Sequence, residues 1–109
     1  MTYIISMEFI ETPIFTKQII ALLDDESYKE FQNELLQNPK LGNVIKGGGG
    51  IRKIRWSLPN KGKSGGIRII YYVQTVKDII YLLFAYPKNE ADNLTDNQIA
   101  QLAKIVKEI

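Results

Sequence analysis

The sequence predicts an α+β fold: a mostly antiparallel β-sheet with two N-terminal helices packed on it and a C-terminal helix. Two observations carry this prediction. Apolar residues recur at helical spacing between residues 13 and 37, then alternate from Ile51 onward. A capping box, Thr95 to Gln98, then opens a second helical pattern that runs to the end of the chain. The order is therefore strand, two helices, three strands and a helix, with the helices expected mainly on one side of the sheet.

The first strand is predicted over Tyr3–Ile10, where alternate residues are apolar. Thr12-Pro13 is typical of a helix start, with threonine as N-cap and proline at the first helical position. Asp24-Asp25 can cap a second helix, which Asn38-Pro39 ends because the residue before proline avoids the helical region. Gly42 and the four glycines Gly47–Gly50 are then expected to form a loose connection.

Three strands are predicted in the second half of the chain. Ile51–Trp56 alternates, which places Lys53 and Arg55 on one face and Ile54 and Trp56 on the other. Ile67–Thr75 is rich in β-branched and aromatic residues. Ile79–Tyr86 is apolar on both faces, so we expect it to be the central strand, covered on both sides and ended by Pro87.

The length of 109 residues predicts one domain over 1–109. The chain contains no cysteine and no histidine, which excludes disulfides, thiolate and Ser-His chemistry, and most zinc sites. The longest apolar run is far shorter than a membrane span, and no secretory signal opens the sequence. We therefore expect a cytoplasmic protein with no membrane contact, no metal and no cofactor.

The net charge of +2 hides a strongly uneven distribution. Residues 1–45 carry −4 and residues 78–109 carry −2, whereas residues 46–77 carry +8 and contain no acidic residue. Such a block is the electrostatic pattern of a surface that binds phosphate groups, although a solvated strand-and-loop surface is the alternative. The eight cations of the block are Lys46, Arg52, Lys53, Arg55, Lys61, Lys63, Arg68 and Lys77.

The strongest candidates for chemistry are Lys53, Arg55 and Arg68, because pairing of their two strands would gather them in one small patch. Like charges at that distance repel, so a polyanionic partner is needed to offset the repulsion. A lysine crowded by arginines also releases its proton more readily, which makes Lys53 a candidate acid or base. Arg68 is expected to be exposed.

Other motifs favour structural interpretations. Gly62-Lys63-Ser64 lacks the preceding glycine and the following helix of a nucleotide-binding phosphate loop. Asp24, Asp25 and Glu26 are typical helix-capping acids, and Glu90 with Asp92 forms a thin pair of loop acids. The aromatic residues Trp56, Tyr71, Tyr72, Tyr81 and Tyr86 could stack on bases, but we expect Trp56 and Tyr71 in the core.

Three segments together resemble the toxins of the RelE/HigB type. They are Ile-Arg-Lys-Ile-Arg-Trp, then Lys-Gly-Lys-Ser-Gly-Gly-Ile-Arg-Ile-Ile-Tyr-Tyr from Lys61 to Tyr72, and Tyr-Pro-Lys-Asn-Glu from Tyr86 to Glu90. Within this superfamily the chain is most similar to the HigB-like branch. The resemblance covers nearly the whole chain, and it rests on the order and spacing of these pieces.

The resemblance implies a RelE-like fold and a toxin of a type II toxin–antitoxin system that cuts messenger RNA on the ribosome without a metal. It also implies a helix-turn-helix, HigA-like antitoxin, through which alone the pair would contact operator DNA. The residues matching the family's catalytic positions are Lys53, Arg55, Arg68 and Lys88. Further RNA contacts are expected from Arg52, Lys61, Lys63 and Asn89.

Two positions depart from the best-studied members, and they leave alternatives open. Asn89 stands where some members carry an arginine, and Leu94-Thr95 stands where some carry a tyrosine. The general base is thus unassigned. A ParE-like toxin that inhibits gyrase by binding, and a catalytically inactive RNA-binding domain of the same fold, remain alternatives. The acid-free basic block favours the endoribonuclease.

Overall fold

The computed structural model describes residues 7–57, 66–90 and 93–109. These residues form a mixed sheet with three helices, which confirms the predicted α+β fold class. Of the predicted strand Tyr3–Ile10, residues 3–6 lie outside the described part, Met7 precedes the observed strand, and the strand runs from Glu8 to Glu11. In chain order the elements are β1 (Glu8–Glu11), α1 (Pro13–Leu22), α2 (Asp25–Gln37), β2 (Asn43–Val44), β3 (Arg52–Trp56), β4 (Ile67–Gln74), β5 (Ile79–Pro87) and α3 (Asp96–Lys107).

The strand order is β1-β5-β4-β3-β2, with β1 parallel to β5 and the other neighbours antiparallel. The central strand is therefore β4, so the prediction that Ile79–Tyr86 would be central is wrong, whereas its expected cover on both faces is confirmed. β1 forms one edge of the sheet, and β5 lies between β1 and β4. The two-residue β2, paired with Arg52 and Lys53, occupies part of the segment predicted as a loose connection.

The helices cover both faces of the sheet. On one face, α1 and α2 bury Phe15, Ile19, Phe31 and Leu35 against alternate residues of β3, β4 and β5. On the other face, α3 buries Leu102 and Val106 in a smaller core. We call these the α1/α2 face and the α3 face. The second core consists of Ile51, Ile70, Leu83, Tyr86, Leu102 and Val106.

A β-bulge in β5 explains why this strand is apolar on both faces. The register to β4 shifts between Ile70 and Tyr71, so that Leu83 has no paired residue. Leu82 belongs to the core of the α1/α2 face, whereas Leu83 belongs to the core of the α3 face. The bulge lets Phe84 and Tyr86 share the α3 face, although strict alternation from Leu82 would place them on the other one.

The helix starts follow the capping chemistry predicted from the sequence. The Thr12 side chain accepts the Phe15 N–H, and the Asp24 carboxylate accepts the Ser27 N–H at 2.7 Å. This hydrogen bond from Ser27 lowers the pKa of Asp24 from its ordinary value. At α3 both halves of the capping box are present, with Thr95 and Gln98 bonding each other's backbone N–H.

The segment before β2 is tied to the sheet by Tyr71, which is fully buried. Its hydroxyl accepts the Gly42 N–H at 2.8 Å and donates to the Pro39 carbonyl, also at 2.8 Å. A Cβ at Gly42 would lie 2.9 Å from the Lys53 carbonyl oxygen and from the Tyr71 ring, so only glycine allows this approach. The Tyr71 hydroxyl thus fixes the backbone beside β3.

We expect Tyr71→Phe to lower the free energy of unfolding by about 1–3 kcal/mol, because it leaves a buried N–H and a carbonyl unsatisfied. Burial raises the pKa of Tyr71. The unfolded chain therefore ionises first, so the stability that the neutral phenol contributes is present below about pH 10 and decreases as the pH rises further. Denaturant unfolding at pH 7 and above pH 10 measures both effects. Tyr81→Phe, on the other face, is the control, and equal losses in both variants would contradict the role of Tyr71.

In the described residues, no helix combines the length and the apolar character that a membrane crossing requires.

Candidate phosphate-binding site

The pairing of β3, β4 and β5 brings three of the predicted cations to the α3 face. Arg55 pairs with Arg68, and Arg68 pairs in turn with Tyr86 on β5. Paired residues of neighbouring antiparallel strands share a face, so these three residues form one row across the sheet. Lys53 lies in the next row, paired with Ile70. We call Lys53, Arg55 and Arg68 the cationic patch.

Arg68 differs from its prediction, because it is only 3% exposed. The prediction of an exposed arginine is wrong because β4 is the central strand, with neighbours on both sides of Arg68. Its guanidinium Nη1 lies 3.4 Å from the Ile67 carbonyl oxygen, towards which it donates. A cation withdrawn from water attracts an approaching anion more strongly than an exposed one does. Arg68 therefore provides the least hydrated charge of the patch.

Lys53 is half-buried and has a defined partner. Its Nζ donates to the Asn93 side-chain oxygen at 2.9 Å, which joins β3 to the segment just before α3. This bond holds the ammonium group in place, whereas the neighbouring Arg55 side chain is exposed. The patch thus contains one buried cation on the central strand β4 and, on the neighbouring strand β3, one half-buried and one exposed cation.

Asn93 and Tyr86 also belong to this site; the sequence indicated Tyr86 only as a residue that could stack on bases, and it did not indicate Asn93. Alternation along β5 indicates that Tyr86 and Pro87 lie on different faces. Because of the bulge at Leu83, alternation alone does not predict that Tyr86 lies on the α3 face. The signal for Asn93 is the capping box, whose N-cap residue Thr95 lies two residues after it. That signal fixes the helix boundary without revealing that this boundary lies over β3.

The structure does not bring Arg52 together with the cationic patch. Arg52 pairs with Tyr71, so it lies on the α1/α2 face, and its Nη1 donates to the Gly42 carbonyl at 2.8 Å. A longer bond of 3.4 Å reaches the Lys40 carbonyl. Arg52 therefore supports the same backbone segment that Tyr71 anchors.

Lys88 and Asn89 directly follow β5 in a turn that is tied to the start of β4. The Lys88 N–H donates to the Gly66 carbonyl at 3.0 Å, which keeps this turn at the end of the sheet where Arg68 lies. A Cβ at Gly66 would approach the Trp56 carbonyl oxygen to 2.8 Å, so glycine is required where β3 and β4 meet. Lys88 is half-buried and Asn89 is exposed.

Several sequence interpretations concern residues beyond the described part of the chain. Lys61, Lys63 and the Gly62-Lys63-Ser64 motif lie outside it, and so does Asp92. Within residues 7–57, 66–90 and 93–109, no three acidic side chains form a group that could hold a metal ion. The core interpretation of two aromatic residues is confirmed, since Tyr71 is buried and Trp56 packs edge-on against Phe31 at 5.3 Å.

A cleft of about 430 Å³ runs along the edge of β3, next to the exposed end of the patch. Lys53, Arg55 and Trp56 line it together with the segment Leu41–Asn43, and Glu34 of α2 adds one carboxylate to the lining. Arg55 and Arg68 lie directly opposite each other, so an anion bound between them would interact with both positive charges. The patch and this cleft together suit a phosphate within an extended polyanion.

Comparison with known proteins identifies relatives of this fold. A family model described as the RelE toxin of the RelE/RelB toxin–antitoxin system matches residues 22–109. The free-state structure of a mutant Escherichia coli toxin RelE has a TM-score of 0.59 at 18% identity, covering 94% of this chain and 97% of that one. The archaeal RelE–RelB complex from Pyrococcus horikoshii gives a TM-score of 0.50 at 19% identity, covering 78% of this chain and 98% of that one. At these identities the structural likeness shows the fold.

Proposed function

Since the chain belongs to the RelE toxin family of toxin–antitoxin systems, we propose that it is a ribosome-dependent mRNA endoribonuclease of the HigB-like branch. The observation that carries the proposal is the pairing of Arg55 with Arg68 beside Lys53 on one face of the sheet. Two arginines and a lysine gathered in one patch, within a segment whose residues 46–77 include no acidic residue, are typical of a surface that binds phosphate. The segment Lys88-Asn89-Glu90 supports the HigB-like assignment.

The proposed reaction uses the substrate's own 2′-hydroxyl as nucleophile. The 2′-oxygen forms a bond to the adjacent phosphorus, the bond from phosphorus to the 5′-oxygen breaks, and a 2′,3′-cyclic phosphate is left. The pentacovalent phosphate carries additional negative charge, which Arg68 and Arg55 stabilise from fixed positions. The 2′-hydroxyl loses a proton and the leaving 5′-oxygen gains one.

Lys53 is the proposed proton carrier. Its hydrogen bond to Asn93 holds the ammonium group in the same site as Arg55 and Arg68. Transfer of its proton to the leaving oxygen would make it the general acid, and its uncharged form could accept the proton of the 2′-hydroxyl. Lys88, at the turn after β5, is proposed to contact the same phosphate.

The remaining contacts are proposed to follow the RNA backbone. Lys61 and Lys63 extend the basic block between β3 and β4, and Asn89 adds a polar group beside Lys88. Arg52 could contact RNA only from the other face of the sheet, so we assign it mainly to support of the Gly42 backbone. Phosphate contacts of this kind bind RNA in a strongly salt-dependent manner.

We propose a cognate antitoxin of the helix-turn-helix, HigA-like class as the protein partner, with operator DNA contacted only through it. A RelE–RelB complex among the structural neighbours supports an antitoxin partner. The ribosome and messenger RNA are the proposed targets, which places the activity in the cytoplasm.

Induction of the toxin in cells, followed by mapping of messenger RNA 5′ ends, tests the proposal. We expect new 5′ ends within coding regions, in phase with the reading frame, because cleavage takes place on the translating ribosome. Double-strand DNA breaks without new RNA ends would instead indicate a gyrase-inhibiting toxin. An exposed α3 variant, Lys104→Ala, is the matched control and should leave the cleavage pattern unchanged.

A further inference from the structure

A second cavity, of about 240 Å³, opens on the α3 face beside the cationic patch. Phe84 and Tyr86 of β5 form one wall, and their ring centroids lie 5.9 Å apart at an angle of 45°. The other lining residues are Leu94 and three polar ones, Glu90, Asn93 and Gln98. We call this space the β5–α3 pocket. Aromatic rings together with amide and carboxylate groups are a combination that suits a nucleobase.

The pocket adjoins the phosphate-binding residues through two of its own lining residues. Tyr86 is paired with Arg68, and Asn93 accepts the hydrogen bond from the Lys53 ammonium. A nucleotide whose phosphate lies on the cationic patch therefore has its base within reach of the pocket. The proximity of base and phosphate sites follows from Tyr86 and Asn93, because both residues contact members of the cationic patch and also line the pocket.

We propose that the β5–α3 pocket binds the nucleobase attached to the phosphate on the cationic patch, and that it prefers guanine. The inference rests on the proposed function, because it names the base that the same site would read. Guanine alone presents two adjacent N–H donors on its pairing edge, and a carboxylate accepts two parallel hydrogen bonds. Adenine, cytosine and uracil each place an acceptor next to their single donor, which the Glu90 carboxylate would repel.

The other polar groups of the pocket fit this arrangement. The Gln98 side-chain oxygen already accepts the Thr95 N–H at 2.9 Å, so the amide group is held in one orientation at the start of α3. Its NH2 group is the donor that remains for a carbonyl oxygen such as guanine O6. Glu90 is exposed, so its carboxylate is accessible to a base that enters the pocket.

The test measures binding of 3′-GMP, 3′-AMP, 3′-CMP and 3′-UMP to the full chain by NMR titration, without ribosomes. We expect 3′-GMP to bind roughly tenfold more tightly than the others, within the range for one bidentate base contact. Glu90→Gln keeps the size of the side chain but offers one acceptor beside one donor, and should abolish the difference. Glu108→Gln, which alters an exposed acid at the far end of α3, is the matched control and should preserve it.

Two results would overturn the inference: equal binding of the four nucleotides, and a guanine preference that Glu90→Gln leaves unchanged. Failure of the proposed function gives a different pattern. If 3′-GMP binds preferentially while no messenger RNA is cut on ribosomes, the pocket stands and the endoribonuclease assignment fails. If ribosome-phased cuts occur while all four nucleotides bind alike, the assignment stands and the guanine pocket fails.

Discussion

Arg68→Lys is expected to lower the rate of ribosome-dependent mRNA cleavage by about 10²–10³-fold, because it removes a preorganised donor to the phosphate oxygens. Lysine keeps the positive charge but loses the planar guanidinium that can contact two oxygens at once. The reduction in cleavage rate therefore reports the contribution of the guanidinium geometry, because the positive charge is kept. Cleavage of a programmed ribosome complex in single-turnover conditions gives the rate, and growth arrest on induction gives the corresponding effect in cells.

Because Arg68 is buried, its replacement can also weaken the fold, so thermal unfolding of each variant must accompany the rate. Arg55→Gln provides the second test, since Arg55 lies opposite Arg68 but is exposed, and its loss should leave the melting temperature nearly unchanged. We expect this variant to be slowed as well. A folded Arg68→Lys protein that cuts and arrests growth at wild-type levels would contradict the assignment of Arg68 to the phosphate.

Much of this fold could be predicted because its local signals are short-range. The start of α2 depends on Asp24, which needs only the Ser27 N–H three residues later. The start of α3 depends in the same way on Thr95 and Gln98. Alternation in Ile51–Trp56 likewise separates Lys53 and Arg55 from Ile54 and Trp56, and the register to β4 confirms this separation.

The long-range features could not be predicted in this way. The burial of Arg68 results from the central position of β4, and the order of strands is set by contacts between distant segments. β2 is only two residues long, and its sequence carries no alternation to detect. After the bulge at Leu83, each residue of β5 lies on the face opposite to the one that strict alternation predicts. Tyr86 therefore lies in the same row as Arg68, although no local sequence pattern indicates this.

The same distinction applies to the candidate site. Lys53, Arg55 and Arg68 could be selected because charge is visible in a sequence, and their strands are adjacent. The contact of Lys53 with Asn93 spans 40 positions and depends on where α3 begins above the sheet. A carboxamide in a polar loop is also too common to select on chemistry alone. Predicting the partner of the proposed proton carrier, Lys53, therefore requires the fold.

A single 2′-deoxynucleotide on the 5′ side of the scissile phosphate is expected to reduce cleavage below detection, because it removes the proposed nucleophile. The same substitution one nucleotide further away should leave the rate nearly unchanged, and it serves as the matched control. Analysis of the 3′ ends should show a 2′,3′-cyclic phosphate or a 3′-phosphate. The chemical reason is that a cationic patch can stabilise the pentacovalent phosphate but supplies no nucleophile of its own, so the substrate must provide one. A deoxy-substituted substrate that is cut at the normal rate to a 3′-hydroxyl product would contradict this mechanism. That result would require an activated water molecule, and it would direct attention to Glu90 and Asp92 as the acids able to activate it.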